Sequence, residues 1–159
     1  MMGPTREEAP MALVRSFPTI LSDRLPETRD FYVSLLGFHV AFDSDYYVAL
    51  ATPPDVEGQV ACELGVWAVG HEIVPPPYRA DPAGIVLTFV VDDVDAFHVE
   101  ARRQGVPVVA PPRDQFYGRR RMLVTDPNGL LVDVSTPCTP SPEFRAEMMR
   151  RGVASATSP

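Results

Sequence analysis

Hydrophobic residues in this chain follow two periods: a strict alternation over several short runs, and a three-to-four-residue recurrence over two longer ones. Thr19-Ile20-Leu21-Ser22-Asp23-Arg24-Leu25 and Thr88-Phe89-Val90-Val91-Asp92-Asp93-Val94 each read as a strand running into an aspartate able to cap a helix. In the first helix the apolar stripe is Phe31, Leu35 and Leu36, and Leu25 before Pro26 serves as a staple. In the second it is Val94, Phe97 and Ala101, with Arg102 and Arg103 placed to favour the C-terminal end of the dipole. Gly37 and Gly105 stand where a helix closes on a left-handed residue. Three strand-like runs follow each helix: Phe38–Phe42, Tyr46–Ala51 and Val60–Ala68, then Val106–Ala110, Arg120–Thr125 and Leu130–Ser135. Asp43-Ser44-Asp45 makes a tight turn in the first set. Asp126-Pro127-Asn128-Gly129 closes a hairpin in the second, with Pro presetting φ and Gly accepting a positive one.

The order is therefore βαβββ twice. Thr88 falls 69 residues after Thr19 and Gly105 falls 68 after Gly37, the signature of a duplicated unit. This predicts an α+β fold of two like modules. A disordered N-terminus is expected at 1–11, the first module at 12–70, a proline-rich linker at 71–83 and the second module at 84–136. The tail at 137–159 holds one short helix, from Pro142 to Arg151.

Alternation also assigns faces. Val60, Cys62, Leu64 and Val66 are expected under a helix, leaving Ala61, Glu63, Gly65 and Trp67 opposite. Ile85, Leu87, Phe89 and Val91 likewise oppose Val86, Thr88 and Val90, and Leu130, Val132 and Val134 oppose Leu131, Asp133 and Ser135. In the first strand Phe17, Thr19 and Leu21 take one side, which leaves Ser16, Pro18 and Ile20 for the cleft. The cleft rows mix apolar, aromatic and acidic groups, as a ligand-lining surface requires.

Composition narrows the partners. With 159 residues, 45% hydrophobic and 22% charged, the chain falls in the ordinary soluble class. Its 14 basic residues are all arginine and are outnumbered by 21 acidic ones, a net charge of −7 that argues against nucleic acid. No window approaches the roughly 20 apolar residues of a membrane span. Glu7 and Glu8 stand where a signal peptide would need an apolar core, and Cys62 and Cys138 make no disulfide framework, so a cytoplasmic protein is expected. No phosphate loop, activated serine or Cys–His pair occurs. His39, His71 and His98 have the spacing of no metal motif and read as surface or rim residues.

Asp23…Thr28-Arg29-Asp30-Phe31-Tyr32…Leu35-Leu36-Gly37-Phe38 resembles the vicinal oxygen chelate superfamily, which joins glyoxalases, bleomycin-resistance proteins and extradiol dioxygenases. So do Val90-Val91-Asp92-Asp93-Val94-Asp95 and the ending Tyr117-Gly118-Arg119…Asp126-Pro127-Asn128-Gly129-Leu130-Leu131-Val132-Asp133-Val134. The resemblance covers about residues 12–136 and implies two βαβββ modules whose curled mixed sheets form a glyoxalase-like cleft, and commonly a homodimer. Enzymes of the family hold one divalent metal ion with four side chains, on the first and last strands of each module. Here those places fall on Ser16, Glu63, Val86 and Asp133. A valine cannot ligate and a serine hydroxyl is a poor ligand, so no metal or other cofactor is expected.

Two readings follow from the candidate residues. In the first, the protein binds a small aromatic or hydrophobic, antibiotic-like molecule without metal, through Trp67, Glu63, Tyr47, Phe116, Tyr117, Arg119 and Asp133. Trp67 and Glu63, four residues apart, would then hold the two ends of one ligand. In the second, the chain is a lyase, isomerase or dioxygenase that uses a non-standard site for one divalent metal ion, or the carboxylates Glu63 and Asp133 as catalytic groups. Each carboxylate could equally be paired with an arginine, and Trp67 and Tyr46 could be core packing. One arginine of Arg119-Arg120-Arg121 could guard the cleft, since at most two of the three share a strand face.

Overall fold

A computed structural model describes residues 12–152, and the strand–helix–three-strand order occurs twice in it. The expected disorder of 1–11 and the last residues of the tail lie outside that range. The elements are β1 (Thr19–Ser22), α1 (Leu25–Leu36), β2 (His39–Asp43), β3 (Tyr47–Ala51), β4 (Glu63–Ala68), β5 (Leu87–Val90), α2 (Val94–Arg103), β6 (Val108–Gln115), β7 (Arg119–Thr125), β8 (Leu131–Pro137) and α3 (Pro142–Arg150). They form two four-stranded sheets of matching order, β1-β4-β3-β2 and β5-β8-β7-β6. In each, the first strand runs parallel to the fourth and the other neighbours are antiparallel.

The helix ends follow from local chemistry, with one departure. Asp93 caps α2 by accepting from the N–H groups of Asp95 and Ala96, each at 3.0 Å. Asp23 does not cap α1. Ser22 Oγ instead accepts from the Arg24 N–H at 2.8 Å, and Pro26 occupies the first turn, where its missing donor costs nothing. Gly37 and Gly105 close the helices at φ 70° and 71°.

Strand limits differ in two places. β4 starts at Glu63, because the chain before it turns on Asp55, whose carboxylate accepts from the N–H groups of Glu57 and Gln59; Val60 is left exposed. β6 runs on through Pro111 and Pro112 to Gln115. It is the edge strand and is irregular between Ala110 and Arg113, which is where a sheet tolerates prolines.

A larger correction concerns β1. The parallel register sets Ile20 beside Val66, both buried, and Thr19 and Leu21 beside Gly65 and Trp67. The open face of β1 therefore carries Thr19 and Leu21, in the row of Phe17, while Ile20 and Ser22 face the core. Ser16, which precedes β1, is exposed and out of step with that row. In the second sheet the expected parity holds: Leu87 is buried beside Val132, and Thr88 pairs with Asp133.

α1, α2 and the buried rows of both sheets share one core, from Ile20, Phe31 and Leu64 to Val94, Met122 and Val134. Phe38 and Phe89 meet edge to face across the two units at 5.8 Å. A buried polar clasp joins them as well. Tyr32 donates to Asp126 Oδ2 at 2.9 Å, and Ser22 donates to Asn128 Oδ1 at 2.6 Å. Asn128 Nδ2 donates to Thr28 Oγ1 at 3.0 Å, and Asp126 Oδ1 holds the N–H groups of Asn128 and Leu130. Burial, and then Asp126 beside it, push the Tyr32 hydroxyl well above the usual tyrosine range, so it stays a neutral donor. Between the units, the linker carries a single 3-10 turn (Pro76–Tyr78) and one buried side chain, Val74.

Thr19 crosses closely over Gly65. A Cβ there would lie 2.7 Å from Thr19 Oγ1 and 3.3 Å from its Cβ and Cγ2, so rotating the threonine does not clear it. Gly65→Ala should cost about 1–3 kcal/mol through displacement of β1. Urea unfolding checks this; an unchanged midpoint would show that β1 yields freely.

Candidate functional site

The face of each sheet turned away from its helix is open. On the first, the register aligns Leu21, Trp67 and Tyr47 in one rung across β1, β4 and β3. Trp67 is 37% exposed, and Phe42 of β2 adds a ring 5.9 Å from that of Tyr47. This is an aromatic platform with surface still to bury. Tyr46 is elsewhere, stacked on His71 at 4.8 Å.

Glu63 lies on the same face, one turn of the pleat from Gly65 and two from Trp67. Arg15 grips it with two nitrogens, Nε reaching Oε2 at 2.7 Å and Nη2 reaching Oε1, and the guanidinium also lies over the Phe17 ring at 4.7 Å. The Arg15 hydrogen bonds hold the Glu63 carboxyl below its usual range, against the opposing effect of desolvation.

On the second open face stand Thr88 and Asp133, with Leu123, Arg121 and Arg119 along β7 and Ala110, Arg113 and Gln115 opposite them on β6. Burial pushes Asp133 above the usual carboxylate range, opposed by the charges of Arg121 and Arg119. Its partner Arg121 lies 3.4 Å away through Nε, too poorly directed for a hydrogen bond. Arg121 Nε and Asp133 Oδ1 are both buried and without a hydrogen-bond partner among the described residues, a state that costs about 1–3 kcal/mol for each such group. Arg121 Nη1 donates to the Tyr117 hydroxyl at 3.3 Å. Phe116 is exposed at the end of the β6–β7 hairpin, packed edge to face on Tyr117 and on Phe144 of α3. Arg120 points to the helix side, bound to Asp95 and Asp114.

The candidate residues thus fall into two groups, Glu63, Trp67 and Tyr47 on one face and Asp133, Arg119 and Tyr117 on the other, with Phe116 beyond them. No strand of one sheet pairs with a strand of the other; the units meet through the helices, the Phe38–Phe89 contact and the clasp. Register separates the two carboxylates further. Thr19 and Thr88 occupy equivalent strands, and their partners are Gly65 and Asp133, so the counterpart of Asp133 is Gly65 and that of Glu63 is Leu131.

These donors do not fit a divalent ion. Val86 has no ligating atom, Ser16 is out of step, both carboxylates face arginines, and among the described residues no three His, Cys, Asp or Glu are grouped to share a metal. No local pattern marks Arg15 or Arg121 as a partner, although the 69-residue offset carries Val86 onto Phe17 and so marks the odd-numbered row containing Arg15 as the open one.

The profile of the Glyoxalase/Bleomycin resistance protein/Dioxygenase superfamily matches residues 16–134. The chain belongs to that superfamily. Solved structures of this fold include a superfamily member from Sphaerobacter thermophilus, 22% identical with a TM-score of 0.61 over 78% of this chain and 98% of that one. TnmS3, an antibiotic binding protein from Streptomyces sp. CB03234, is 23% identical with a TM-score of 0.60, covering 81% of this chain and 98% of its own. A glyoxalase/bleomycin resistance protein/dioxygenase from Nocardioides is 16% identical with a TM-score of 0.60, covering 80% and 87%. No curated protein matches. At these identities the superfamily likeness carries the fold, and the site must be argued from its own residues. No helix among the described residues is long and apolar enough to cross a membrane.

Proposed function

We propose that this superfamily member binds a small aromatic or apolar molecule without a metal ion, as TnmS3 binds an antibiotic, and that it does so as a homodimer. One observation carries the reading: the two carboxylates nearest to the family's metal places each face an arginine and sit on different rungs of their sheets. The aromatic platform of Leu21, Trp67 and Tyr47 supplies the contact area. The dimer follows from the separation of the faces: an open sheet set against the other open sheet of a second copy closes a cleft that one chain leaves open.

A second reading keeps an enzyme, a lyase, isomerase or dioxygenase acting through Asp133 and Glu63. It is favoured by the upward push on Asp133, which suits a group that transfers a proton. Native mass spectrometry of protein purified without added metal or chelator tests both readings. The expected species is a dimer free of divalent ion. About one equivalent of zinc, iron, nickel or manganese per chain, lost in Glu63→Ala and Asp133→Ala, would overturn the metal-free reading, and a monomer at micromolar concentration would overturn the shared cleft.

A further inference from the structure

The clasp between the units hangs on a side chain with a chemical liability. Asn128 is the only asparagine of the chain, and the residue after it is Gly129. Asparagine followed by glycine is the pair most prone to deamidate, because glycine has no Cβ to shield its nitrogen or to restrict its approach to the side-chain amide. In that reaction the Gly129 nitrogen attacks Asn128 Cγ. The new N–Cγ bond replaces the Cγ–Nδ2 bond, and ammonia leaves with the proton that the Gly129 nitrogen gives up. Water then opens the cyclic imide at either of its carbonyls and leaves an aspartyl or an isoaspartyl residue. One amide and one water become one carboxylate and one ammonium, with no change of oxidation state.

In the closed clasp the groups this reaction needs are engaged elsewhere. The Gly129 N–H donates to the Asp126 carbonyl at 3.0 Å. Asn128 Oδ1 accepts from Ser22 at 2.6 Å, and Nδ2 donates to Thr28 Oγ1 at 3.0 Å and to Asp126 Oδ2 at 3.3 Å. Ser22 and Thr28 are buried, so these bonds are sheltered from water. The clasp also uses the amide from both ends, as acceptor and as donor. A carboxylate in its place could keep the bond from Ser22 but would lose both donations. It would also set a negative charge where Nδ2 now meets the Asp126 carboxylate.

We propose that Asn128–Gly129 is a deamidation site gated by the clasp: it reacts only when the two units loosen, and once it has reacted the clasp does not close again. Local opening is otherwise reversible. Here each opening carries a chance of becoming permanent, so the modified fraction records how often the units have parted. The site involves no residue of the two open faces.

Incubation of the full chain in mildly alkaline buffer, with and without concentrated urea, tests the proposal, with mass spectrometry of the tryptic peptide that carries Asn128. The folded chain should react at least about 30-fold more slowly than the unfolded one, because several hydrogen bonds must open together. Ser22→Ala and Thr28→Val each delete one partner of the amide and should speed the folded reaction about fivefold, with the rate in urea unchanged. Separated by charge, the modified chain should unfold about 5–10 °C below the unmodified one, as should Asn128→Asp. Equal rates with and without urea would overturn the gating, as would wild-type rates in both variants while circular dichroism shows them folded. Should one variant fail to fold, the other decides, and the comparison of modified with unmodified wild type needs neither. An unchanged Tm in the modified chain would show that the clasp closes again after reaction and would overturn the one-way step.

Discussion

Trp67→Ala should weaken the binding of a neutral aromatic probe such as 1-naphthylacetamide about 5- to 150-fold, with little change in fold stability. The indole sits on β4, its rung neighbours Leu21 and Tyr47 extend the apolar surface on both sides, and more than a third of it is exposed. Burying one aromatic ring against such a surface is worth about 1–3 kcal/mol, which sets the range. Because Trp67 is the single tryptophan of the chain, its emission reports the same event directly. The probe should quench or shift it, with a concentration dependence that matches calorimetry. An unchanged affinity in Trp67→Ala, together with emission that saturating probe does not alter, would mean that the platform takes no ligand.

The largest effect on stability should come from Asp126→Ala. This carboxylate is 5% exposed and accepts from the N–H groups of Asn128 and Leu130, from the Tyr32 hydroxyl and from Asn128 Nδ2. Its removal strands a buried tyrosine hydroxyl and loosens the turn that presents Asn128 to Ser22 and Thr28. A loss of about 2–4 kcal/mol is expected, equivalent to about 5–15 °C in Tm for a chain of this size. Tyr32→Phe deletes a single donor and should cost about 1 kcal/mol. If thermal unfolding shows Asp126→Ala to be no worse than Tyr32→Phe, the clasp is incidental and the shared apolar core alone joins the two units.

The two sheets and the two helices were legible because alternation and helical spacing repeat 69 residues apart, each copy supporting the other. The same repeat is sufficient to orient β1, yet alternation within that strand alone leaves Ser16 and Ile20 for the cleft and so inverts it. Pairing decides a strand's parity, and pairing is a long-range property. Pro111 and Pro112 hid the second half of β6, since prolines speak against a strand everywhere except at an edge. The candidate site was legible as a set of residue types on a face, and Trp67, Glu63 and Asp133 do lie on open faces. Their partners were not. Arg15 is 48 residues from Glu63 and Arg121 is 12 from Asp133, and no local pattern joins either pair. The Asp126-Pro127-Asn128-Gly129 turn was readable as a hairpin, but nothing nearby announces that its side chains reach back about a hundred residues, to Ser22, Thr28 and Tyr32.

That reach changes what the proline-rich stretch between the units does. Orientation is set by the common apolar interior and by the bonds from Asp126 and Asn128, and the linker itself contributes one anchored side chain, Val74. It acts as a tether whose service is a high effective concentration of one half near the other. Its length and sequence are then free to drift within what the span permits, whereas an exchange of either half for an unrelated βαβββ unit would have to bring both ends of the clasp with it.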